Sequence, residues 1–439
     1  MNYNWEAFAD YVKGLMLEEH IPGVAVAVSK NGKIIYQQGF GQRNVEKGLP
    51  VTPDTIMGIA SVSKSFTALQ IMRLAAEGVI KVDDLVSKHL PDLKLPNIDM
   101  SKVTIHHLLS HTTGLPPVER HQDHKFFDKH IEYLNNYSIT PLGEPSEYFS
   151  YANDTFLLLG AIIEKYSGKL YNRYMTQLLD ELEMYNSTYY IEELQKFDDV
   201  TENYIYDKNS NSWETRPWPE LGVFEVGGGV RSCVTDLLHY GELYINDGMY
   251  KQKQIIPKEY LEQMWQPVYE VAAGQFYGYA LKSTPDYNGV TLVEHGGSQP
   301  GVASNFGFVP EEKLVVVVLT NVTGAPASSI WQAAVNSALG LPLDYQHNPQ
   351  HKTTLTNEQI DKLTGFYAAD EGGNVLIYRD GTQIKAVSNN EHFTLHAVSP
   401  TMLAINEKKI KNIVKLYLRD GQEKAWAAFA GSRMLLRKH

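Results

Sequence analysis

The sequence predicts an α/β sandwich followed by a small antiparallel β domain, and three observations carry this prediction. The 439 residues are enough for two domains. Strand patterns stand at both ends of the first 340 or so residues, with helical patterns between them. Beyond residue 356, short strand patterns alternate with turn signals, as in a small barrel or half-barrel. We therefore expect a large domain over 1–345, a linker over 346–356 and a β domain over 357–439.

The composition indicates a water-soluble globular protein. Hydrophobic residues make up 43% and charged residues 21% of the chain, and the net charge of −12 is spread without long blocks. An acidic surface argues against a nucleic-acid partner. The single cysteine, Cys233, excludes an intrachain disulfide and a cysteine metal site. The first 20 residues have the spacing of an amphipathic helix, and no apolar run is long enough to span a membrane, so a cytoplasmic location is predicted.

The elements of the first half follow from local patterns. Residues 23–41 alternate apolar and polar side chains around Asn31-Gly32, which predicts a β-hairpin. A helix is predicted from Ser61 to Glu77, where Gly78 ends it, and a buried helix from Phe156 to Tyr166. The glycine triplet of "EVGGGVRS" (227–229) implies tight backbone packing.

Strand patterns return at 290–297, 303–310 and 313–322. The last of these, "KLVVVVLTNV", is a nearly continuous β-branched run, which is typical of a strand covered on both faces. A helix over roughly 326–339 follows. The first and last strands of this domain are expected to share one sheet.

The first indication of a catalytic site is the stretch "GIASVSKSFTA". Ser61 and Lys64 stand three residues apart, so on a helix the lysine lies beneath the serine. A serine needs a group that removes its proton, and a lysine in a partly desolvated site has a lowered pKa and can act as a base. Backbone N–H groups at a helix start can stabilise an oxyanion. Ser-x-x-Lys is common by chance, and a surface lysine is the alternative.

Two further motifs favour the catalytic interpretation of Ser61 and Lys64 over a surface lysine. Tyr151-Ala152-Asn153 lies before the buried helix, where a phenol can exchange protons and an amide can orient the lysine and the substrate. His295-Gly296-Gly297-Ser298 ends a predicted strand, and paired glycines allow a substrate backbone to approach the strand edge. Each motif alone is weak, with an exposed loop as the alternative for the first.

The three motifs occur in the order typical of penicillin-recognising serine hydrolases. Their flanks, "IMGIASVSKSFTALQIMRLAAEG", "TIHHLLSHTTGLPP", "YANDTFLLLGAIIEKYSG" and "GGGVRSCVTDLLHYGELYINDG", look like the class C β-lactamase-related group, over residues 1 to about 340. That group includes β-lactamases, D-aminopeptidases, D,D-peptidases, family VIII esterases and low-molecular-weight penicillin-binding proteins. The resemblance implies a serine β-lactamase/D,D-peptidase-like fold.

The resemblance also implies roles for individual residues. Ser61 is the acylated nucleophile, Lys64 and Tyr151 share proton transfer, and Asn153 holds the hydrogen-bond network. The backbone N–H groups of Ser61 and Ser298 form the oxyanion hole. No cofactor and no metal are implied.

The third motif departs from the β-lactamase pattern, which usually has Lys-Thr-Gly. His295 is expected to be only partly charged at neutral pH, and Gly296 has no hydroxyl, so β-lactamase activity is expected to be weak or absent. His-x-Gly, with Gly296 and Gly297 at the substrate, resembles the third motif of D-aminopeptidases, esterases and archaeal-type peptidases of the group.

The leading prediction is a peptidase on small peptides, including ones with D-residues. A carboxylesterase, and a penicillin-binding sensor that acylates with little turnover, remain alternatives.

The C-terminal region has a resemblance of its own. The stretch "LTGFYAADEGGNVLIYRDGTQIKA" resembles the small lipocalin-like β domain of some members of the group. In those proteins this domain can cap the active site or build oligomer contacts. A homo-oligomer formed through it is therefore an expected partnership.

The remaining histidines and aromatic residues have plainer interpretations. His107 and His111 have an i, i+4 spacing that suits a metal, but structural hydrogen bonding is preferred because the glutamate of H-E-x-x-H is absent. For three other histidines, exposed positions in a lid are preferred: His121, His124 and His130. The aromatic region 203–224, with Trp213 and Trp218, either lines a cleft or packs in the core.

Overall fold

A computed structural model of the protein describes residues 3–347, 352–405 and 413–438. By internal contacts the chain divides into two compact units. The first unit comprises Met1–Asp84, Gln122–His130 and Phe156–His347, and the second comprises Leu85–His121, Ile131–Thr155 and Asn348–His439. The predicted linker includes residues 348–351, which lie outside the described residues. The domain limits drawn from the sequence stay a prediction.

The helices are, in chain order, α1 (Trp5–Glu18), α2 (Ser63–Ala76), α3 (Val86–His89), α4 (Ile105–Ser110), α5 (Phe127–Asn136), α6 (Asn153–Ser167), α7 (Tyr171–Glu181), α8 (Glu225–Gly228), α9 (Val234–Ile245), α10 (Lys258–Leu261), α11 (Ala327–Leu339) and α12 (Asn357–Leu363). Among these described helices, none has both the length and the apolar character needed to cross a bilayer.

The strands of the first unit are β1 (Gly23–Lys30), β2 (Lys33–Asn44), β3 (Leu49–Pro50), β4 (Met57–Gly58), β5 (Asn203–Asp207), β6 (Ser212–Arg216), β7 (Arg231–Ser232), β8 (Met249–Tyr250), β9 (Lys253–Gln254), β10 (Tyr269–Ala272), β11 (Gln275–Tyr277), β12 (Lys282–Tyr287), β13 (Val290–Gln299), β14 (Val302–Val309) and β15 (Leu314–Thr320). Those of the second unit are β16 (Gly365–Ala368), β17 (Asn374–Asp380), β18 (Gln383–Ser388), β19 (Glu391–Ser399), β20 (Met402–Ile405), β21 (Ile413–Tyr417), β22 (Ala427–Ala430) and β23 (Arg433–Lys438).

The first unit is built on a nine-stranded sheet in the order β10-β11-β12-β13-β14-β15-β1-β2-β3. The predicted hairpin is confirmed, because β1 and β2 are joined by Asn31 and Gly32 with φ of 52° and 70°. Strand β1 also pairs antiparallel with β15. The prediction that the first and last strands of the domain share one sheet is therefore correct.

Helices cover both faces of this sheet. All seven residues of β15 are buried. Its neighbouring side chains point to opposite faces. On one face α9 lies so close that a Cβ on Gly241 would come within 2.2 Å of Val315 Cγ1. On the other face Val316 and Val318 share a core cluster with Ile330 of α11. The predicted α/β sandwich and the doubly covered strand are both confirmed.

In the second unit, β16 to β23 form a closed antiparallel barrel. Its core contains Tyr367, Leu403 and Ala428 among other buried side chains. Closure comes from the antiparallel pairing of β16 with β23, which brings the β16–β17 turn and the β22–β23 turn to the same end. The predicted small antiparallel barrel is confirmed.

The segment Ile131–Thr155 packs against the barrel within the second unit. Leu142 shares a buried cluster with Ala427 and Met434. The rings of Phe149 and Phe429 lie 6.0 Å apart, centroid to centroid. This segment carries the second sequence motif, so apolar packing ties that motif to the C-terminal strands.

Candidate active site

Ser61 lies in a single 3-10 turn, Ala60–Val62, directly before α2. The sequence predicted that the helix starts at Ser61, whereas the α-helix begins at Ser63. Ala60 has a φ of 46°, a left-handed conformation that costs energy for any residue with a side chain. This sharp change of direction after β4 sets the position of the half-buried Ser61 side chain.

The Lys64 side chain is completely buried. Its Nζ lies 3.4 Å from Ser61 Oγ and donates a hydrogen bond of 3.0 Å to the Gly227 carbonyl oxygen. The Phe156 ring covers it, with its centroid 5.7 Å from Nζ. The predicted proximity of lysine and serine is confirmed, and an apolar ring together with a backbone carbonyl forms part of the lysine's surroundings.

The glycine triplet explains how the lysine fits. A Cβ on Gly227 would lie 2.8 Å from Lys64 Nζ, and one on Gly229 would lie 1.9 Å from Glu225 Oε2. The Glu225 carboxylate pairs at 2.9 Å with the buried Arg231, which also donates to the Gly229 carbonyl at 2.7 Å. The tight packing predicted for 227–229 is confirmed, and its cause is the space taken by Lys64 and Glu225.

Strand β13, which carries the third motif, packs against the turn that holds Ser61. Ser304 of the adjacent strand β14 donates from its Oγ to the Ile59 carbonyl at 2.7 Å. A Cβ on Gly297 would lie 2.2 Å from that same carbonyl oxygen. Gly297 was predicted to bind substrate, and the structure adds a packing reason for this glycine.

The end of β13 offers a strand edge beside Ser61. The register of β12 ends with Lys282 opposite Glu294. Residues 296–299 therefore pair with β14 alone among the described strands. A Cβ on Gly296 would meet nothing closer than 3.7 Å. An extended peptide backbone can add to an edge of this kind.

His295 differs from its predicted state. Its side chain is buried, with Nδ1 2.6 Å from the Gly296 carbonyl oxygen and Nε2 3.2 Å from the Tyr277 hydroxyl. Burial, followed by the positive charge of Lys282, lowers the pKa of His295 to about 3. The expectation of a partly charged ring at neutral pH is therefore wrong, because that expectation ignored burial and the charge of Lys282. Tyr277 was missed, since nothing in its local pattern marks it.

Tyr151 and Asn153 lie in the second unit and are buried. Asn153 is the first residue of α6 and donates from Nδ2 to Glu371 Oε1 at 2.7 Å. The guanidinium carbon of Arg433 lies 5.0 Å from the centroid of the Tyr151 ring. Sequence reasoning missed Glu371, in the β16–β17 turn, and Arg433, the first residue of β23, because both lie far along the chain and belong to no motif.

The predicted site residues therefore fall into two groups. The first unit brings together Ser61, Lys64 and the third motif, from His295 to Ser298, of which Ser298 is exposed. The second unit holds Tyr151 and Asn153. Chemically, the first group offers a hydroxyl, a buried amine and a strand edge. The second offers a phenol and an amide beside a buried carboxylate.

The histidines noted in the sequence have structural surroundings. His107 Nδ1 accepts from the backbone N–H of Thr104 at 3.0 Å and completes the capping box of α4. His111 Nδ1 accepts from the Ala152 backbone at 3.2 Å. These bonds confirm the structural hydrogen bonding preferred for both residues.

Two predictions for other aromatic residues are revised or refined. His130 was expected in an exposed lid, but it is buried and its ring lies 5.8 Å from that of Phe224. The prediction is wrong for His130 because an aromatic neighbour covers it. Trp218 lies beside Gly58, three residues before Ser61, since a Cβ there would be 3.5 Å from its ring. Trp213 is exposed and donates from its indole N–H to the His20 carbonyl at 2.7 Å.

Comparisons with known proteins agree with this architecture. Penicillin-binding protein 4* of Bacillus subtilis is 26% identical over 411 residues, covering 88% of this chain and 86% of that protein. The octameric penicillin-binding protein homologue from Pyrococcus abyssi is 30% identical, with a TM-score of 0.73 over 99% of this chain and 100% of that one. SurE with D-Leu is 20% identical, with a TM-score of 0.74 over 99% of both chains, and shows a shared fold.

The family model named Beta-lactamase matches residues 8–338, about three quarters of the chain. This match confirms the resemblance drawn from the three motifs. It covers Ser61, Lys64, Tyr151, Asn153 and His295, and ends before the barrel. The chain belongs to the Beta-lactamase family, in the group of serine hydrolases that also holds penicillin-binding proteins.

Proposed function

We propose that this serine hydrolase acts through an acyl-enzyme formed on Ser61, with small peptides as its substrates. The observation that carries the proposal is the buried Lys64 amine, 3.4 Å from Ser61 Oγ. Removal from water favours the neutral form of an amine, and a neutral amine can accept a proton. Lys64 is thus the candidate base for Ser61.

The proposed acylation begins when the Ser61 proton passes to Lys64 and Oγ forms a bond to the substrate carbonyl carbon. The carbonyl oxygen becomes an oxyanion, which the backbone N–H groups of Ser61 and Ser298 stabilise. Lys64 and Tyr151 then deliver the proton to the leaving nitrogen as the C–N bond breaks. Asn153 orients the lysine and the substrate. Water attacks the ester in the reverse sense and releases the acid, and Ser61 regains its proton.

The substrate class follows from the third motif. The one-sided pairing of residues 296–299 suits an extended peptide backbone. His295 is neutral at pH 7, so it offers no cation to the carboxylate of a β-lactam, and we expect weak β-lactamase activity. SurE, which shares this fold, has a crystal structure with D-Leu, and this supports the inclusion of peptides with D-residues.

Covalent labelling tests the Ser61 acyl-enzyme. A fluorophosphonate or a fluorescent penicillin should add one mass equivalent to the wild type and none to Ser61→Ala. Ser63→Ala is the matched control, because the Ser63 hydroxyl is buried and accepts from the Val230 backbone at 3.1 Å. Absence of labelling in the wild type, or labelling that survives Ser61→Ala, overturns the proposal.

A substrate panel tests the peptidase prediction against its rivals. D- and L-aminoacyl anilides, p-nitrophenyl esters and a chromogenic cephalosporin are compared by kcat/KM. We expect the anilides to be turned over and the cephalosporin to be the poorest substrate. Turnover of esters alone indicates the carboxylesterase, and a burst of one equivalent without turnover indicates the penicillin-binding sensor.

Assembly and location are part of the proposal. The Pyrococcus abyssi homologue is octameric, which supports a homo-oligomer. We propose that the C-terminal barrel forms the contacts between subunits. Light scattering on the purified chain measures the mass, and a monomer contradicts this point. The cytoplasmic location stays a prediction.

A further inference from the structure

We infer that Glu371 and Arg433, two residues of the barrel, position Asn153 and Tyr151 for the reaction. The inference rests on the proposed function, because it assigns these barrel residues an effect on acylation of Ser61. It goes beyond that function by making the C-terminal barrel a part of the catalytic apparatus. The set Arg120, Asn153, Glu371 and Arg433 is called the Glu371 cluster below.

The Glu371 carboxylate is the centre of this cluster. Its Oε1 accepts from Asn153 Nδ2 at 2.7 Å and from Arg120 Nε at 2.6 Å. Its Oε2 accepts from Arg433 Nε at 2.6 Å. Charge-assisted bonds of this length are strong and directional. The carboxylate therefore fixes the direction in which the Asn153 amide points.

The charge of Glu371 persists in this environment. The side chain is only 9% exposed, and burial alone would raise its pKa. The guanidiniums of Arg433 and Arg120 outweigh burial and lower the pKa of Glu371 to about 2. The cluster thus combines two positive charges with one negative charge, and the carboxylate is ionised at neutral pH.

Arg433 contacts the other member of the motif. Its guanidinium carbon lies 5.0 Å from the Tyr151 ring centroid, a distance at which a cation interacts with an aromatic face. The backbone on each side of Arg433 is also engaged. The Tyr151 N–H donates to the Ser432 carbonyl at 2.9 Å, and the Met434 N–H donates to Ser150 Oγ at 3.1 Å. Tyr151 is therefore held through both its ring and its main chain.

These contacts indicate a positioning role because they orient the two groups that the proposed mechanism uses. An asparagine amide has one donor end and one acceptor end. Commitment of Nδ2 to Glu371 fixes the orientation of the amide and so the direction in which its acceptor end, Oδ1, points. A guanidinium near Tyr151 also stabilises negative charge on its phenol oxygen during proton transfer. Without these two barrel residues, neither orientation has this support.

The test measures the rate of covalent labelling and the steady-state constants for three variants. Glu371→Gln removes the charge with little change of shape, Arg433→Met removes the cation, and Arg433→Lys retains it. We expect the acylation rate and kcat to fall about 10- to 100-fold in Glu371→Gln and Arg433→Met, with KM within about 3-fold, because misplaced groups act on the chemical step. Arg433→Lys should recover a large part of the loss.

The control is Arg379→Met, which breaks the barrel's exposed ion pair with Asp361, 2.9 Å long. Its rate should match the wild type. Suppose that the wild type is labelled, and that Glu371→Gln and Arg433→Met are labelled as fast as the control. The inference is then wrong, while the proposed function stands. If the wild type is not labelled, the proposed function is wrong. Should Glu371→Gln fail to fold by circular dichroism, the comparison of Arg433→Lys with Arg433→Met decides.

Discussion

The first and second motifs are held in place by different kinds of interaction. Around Lys64, the support comes from the packed interior and the main chain, through the Phe156 ring and the Gly227 carbonyl. Around Asn153, the support comes from charged side chains, through Glu371. Close packing resists any change of volume, whereas the Glu371 cluster depends on the presence of each charge.

This difference leads to distinct expectations for substitutions. At the first motif, a single added methyl group should be enough to move the reacting groups. At the second motif, a change of charge should act without a change of volume. The predictions below concern the first and third motifs and complement the test of the Glu371 cluster.

The largest effect is expected from loss of the amine. Lys64→Met keeps the length and the apolar packing of the side chain but removes the proposed base, so the acylation rate should fall by at least about 10²-fold. Labelling kinetics measure this rate. Lys30→Met is the control, because Lys30 is paired with Glu312 at 2.6 Å and has no proposed role. A Lys64→Met enzyme with the wild-type rate would contradict our account of Lys64.

The paired glycines of the third motif should respond unequally. In Gly297→Ala the new methyl group meets the Ile59 carbonyl at 2.2 Å and must displace the turn that holds Ser61. We expect a loss of about 1–3 kcal/mol in the free energy of unfolding and about a 10- to 100-fold slower acylation. The first is measured by urea unfolding and the second by labelling.

Gly296→Ala is the matched variant, since its methyl group has 3.7 Å of space. It should unfold at nearly the wild-type urea concentration. Equal destabilisation by the two substitutions would show that the contact between β13 and residues 59–60 does not support the turn.

Features set by neighbours in the chain could be predicted from the sequence. The hairpin at Asn31-Gly32, strand β15 and the proximity of Ser61 to Lys64 depend on local spacing and turn chemistry. The order of the three motifs supplied the family. Glu371 could not be found in this way, because it acts on a residue 218 positions away and no spacing links the two.

The protonation state of His295 was missed for a related reason. Its charge depends on burial and on Lys282, which lies on the neighbouring strand β12. Burial of His130 beneath Phe224 is a tertiary effect of the same kind. Long-range packing and electrostatics are therefore the part of this site that a single sequence does not reveal.

A smaller effect on rate is expected at the glycine triplet. In Gly227→Ala the methyl group lies 2.8 Å from Lys64 Nζ, the mobile end of a long side chain, so the amine shifts and the fold adapts. Acylation should slow by about 10-fold while the free energy of unfolding changes by less than about 1 kcal/mol. Gly228→Ala, whose methyl group would have 3.6 Å of space, should keep the wild-type rate. If Gly227→Ala also keeps it, the Gly227 contact does not position the lysine.

The smallest effect concerns stability and not rate, and it tests the neutral state of His295. The folded pKa of about 3 lies below the ordinary value of 6.5, so between these values the unfolded chain binds a proton that the folded protein does not. This contribution to stability is complete above pH 6.5 and is lost as the pH falls toward 3. His295→Gln removes this pH-dependent contribution to the free energy of unfolding. The stability difference between wild type and variant should therefore shift by about 2 kcal/mol against the wild type between pH 7 and pH 5, as measured by urea unfolding.

The control is His392→Gln, which removes an imidazole from the surface and should leave the free energy of unfolding close to that of the wild type. The wild type and His295→Gln could instead differ in free energy of unfolding by the same amount at pH 7 and at pH 5. That result would mean that His295 titrates normally. The ring would then be partly charged near neutral pH and able to attract a substrate carboxylate. In that case the third motif would resemble the cationic β-lactamase pattern more closely, and the cephalosporin in the substrate panel should be turned over faster than we expect.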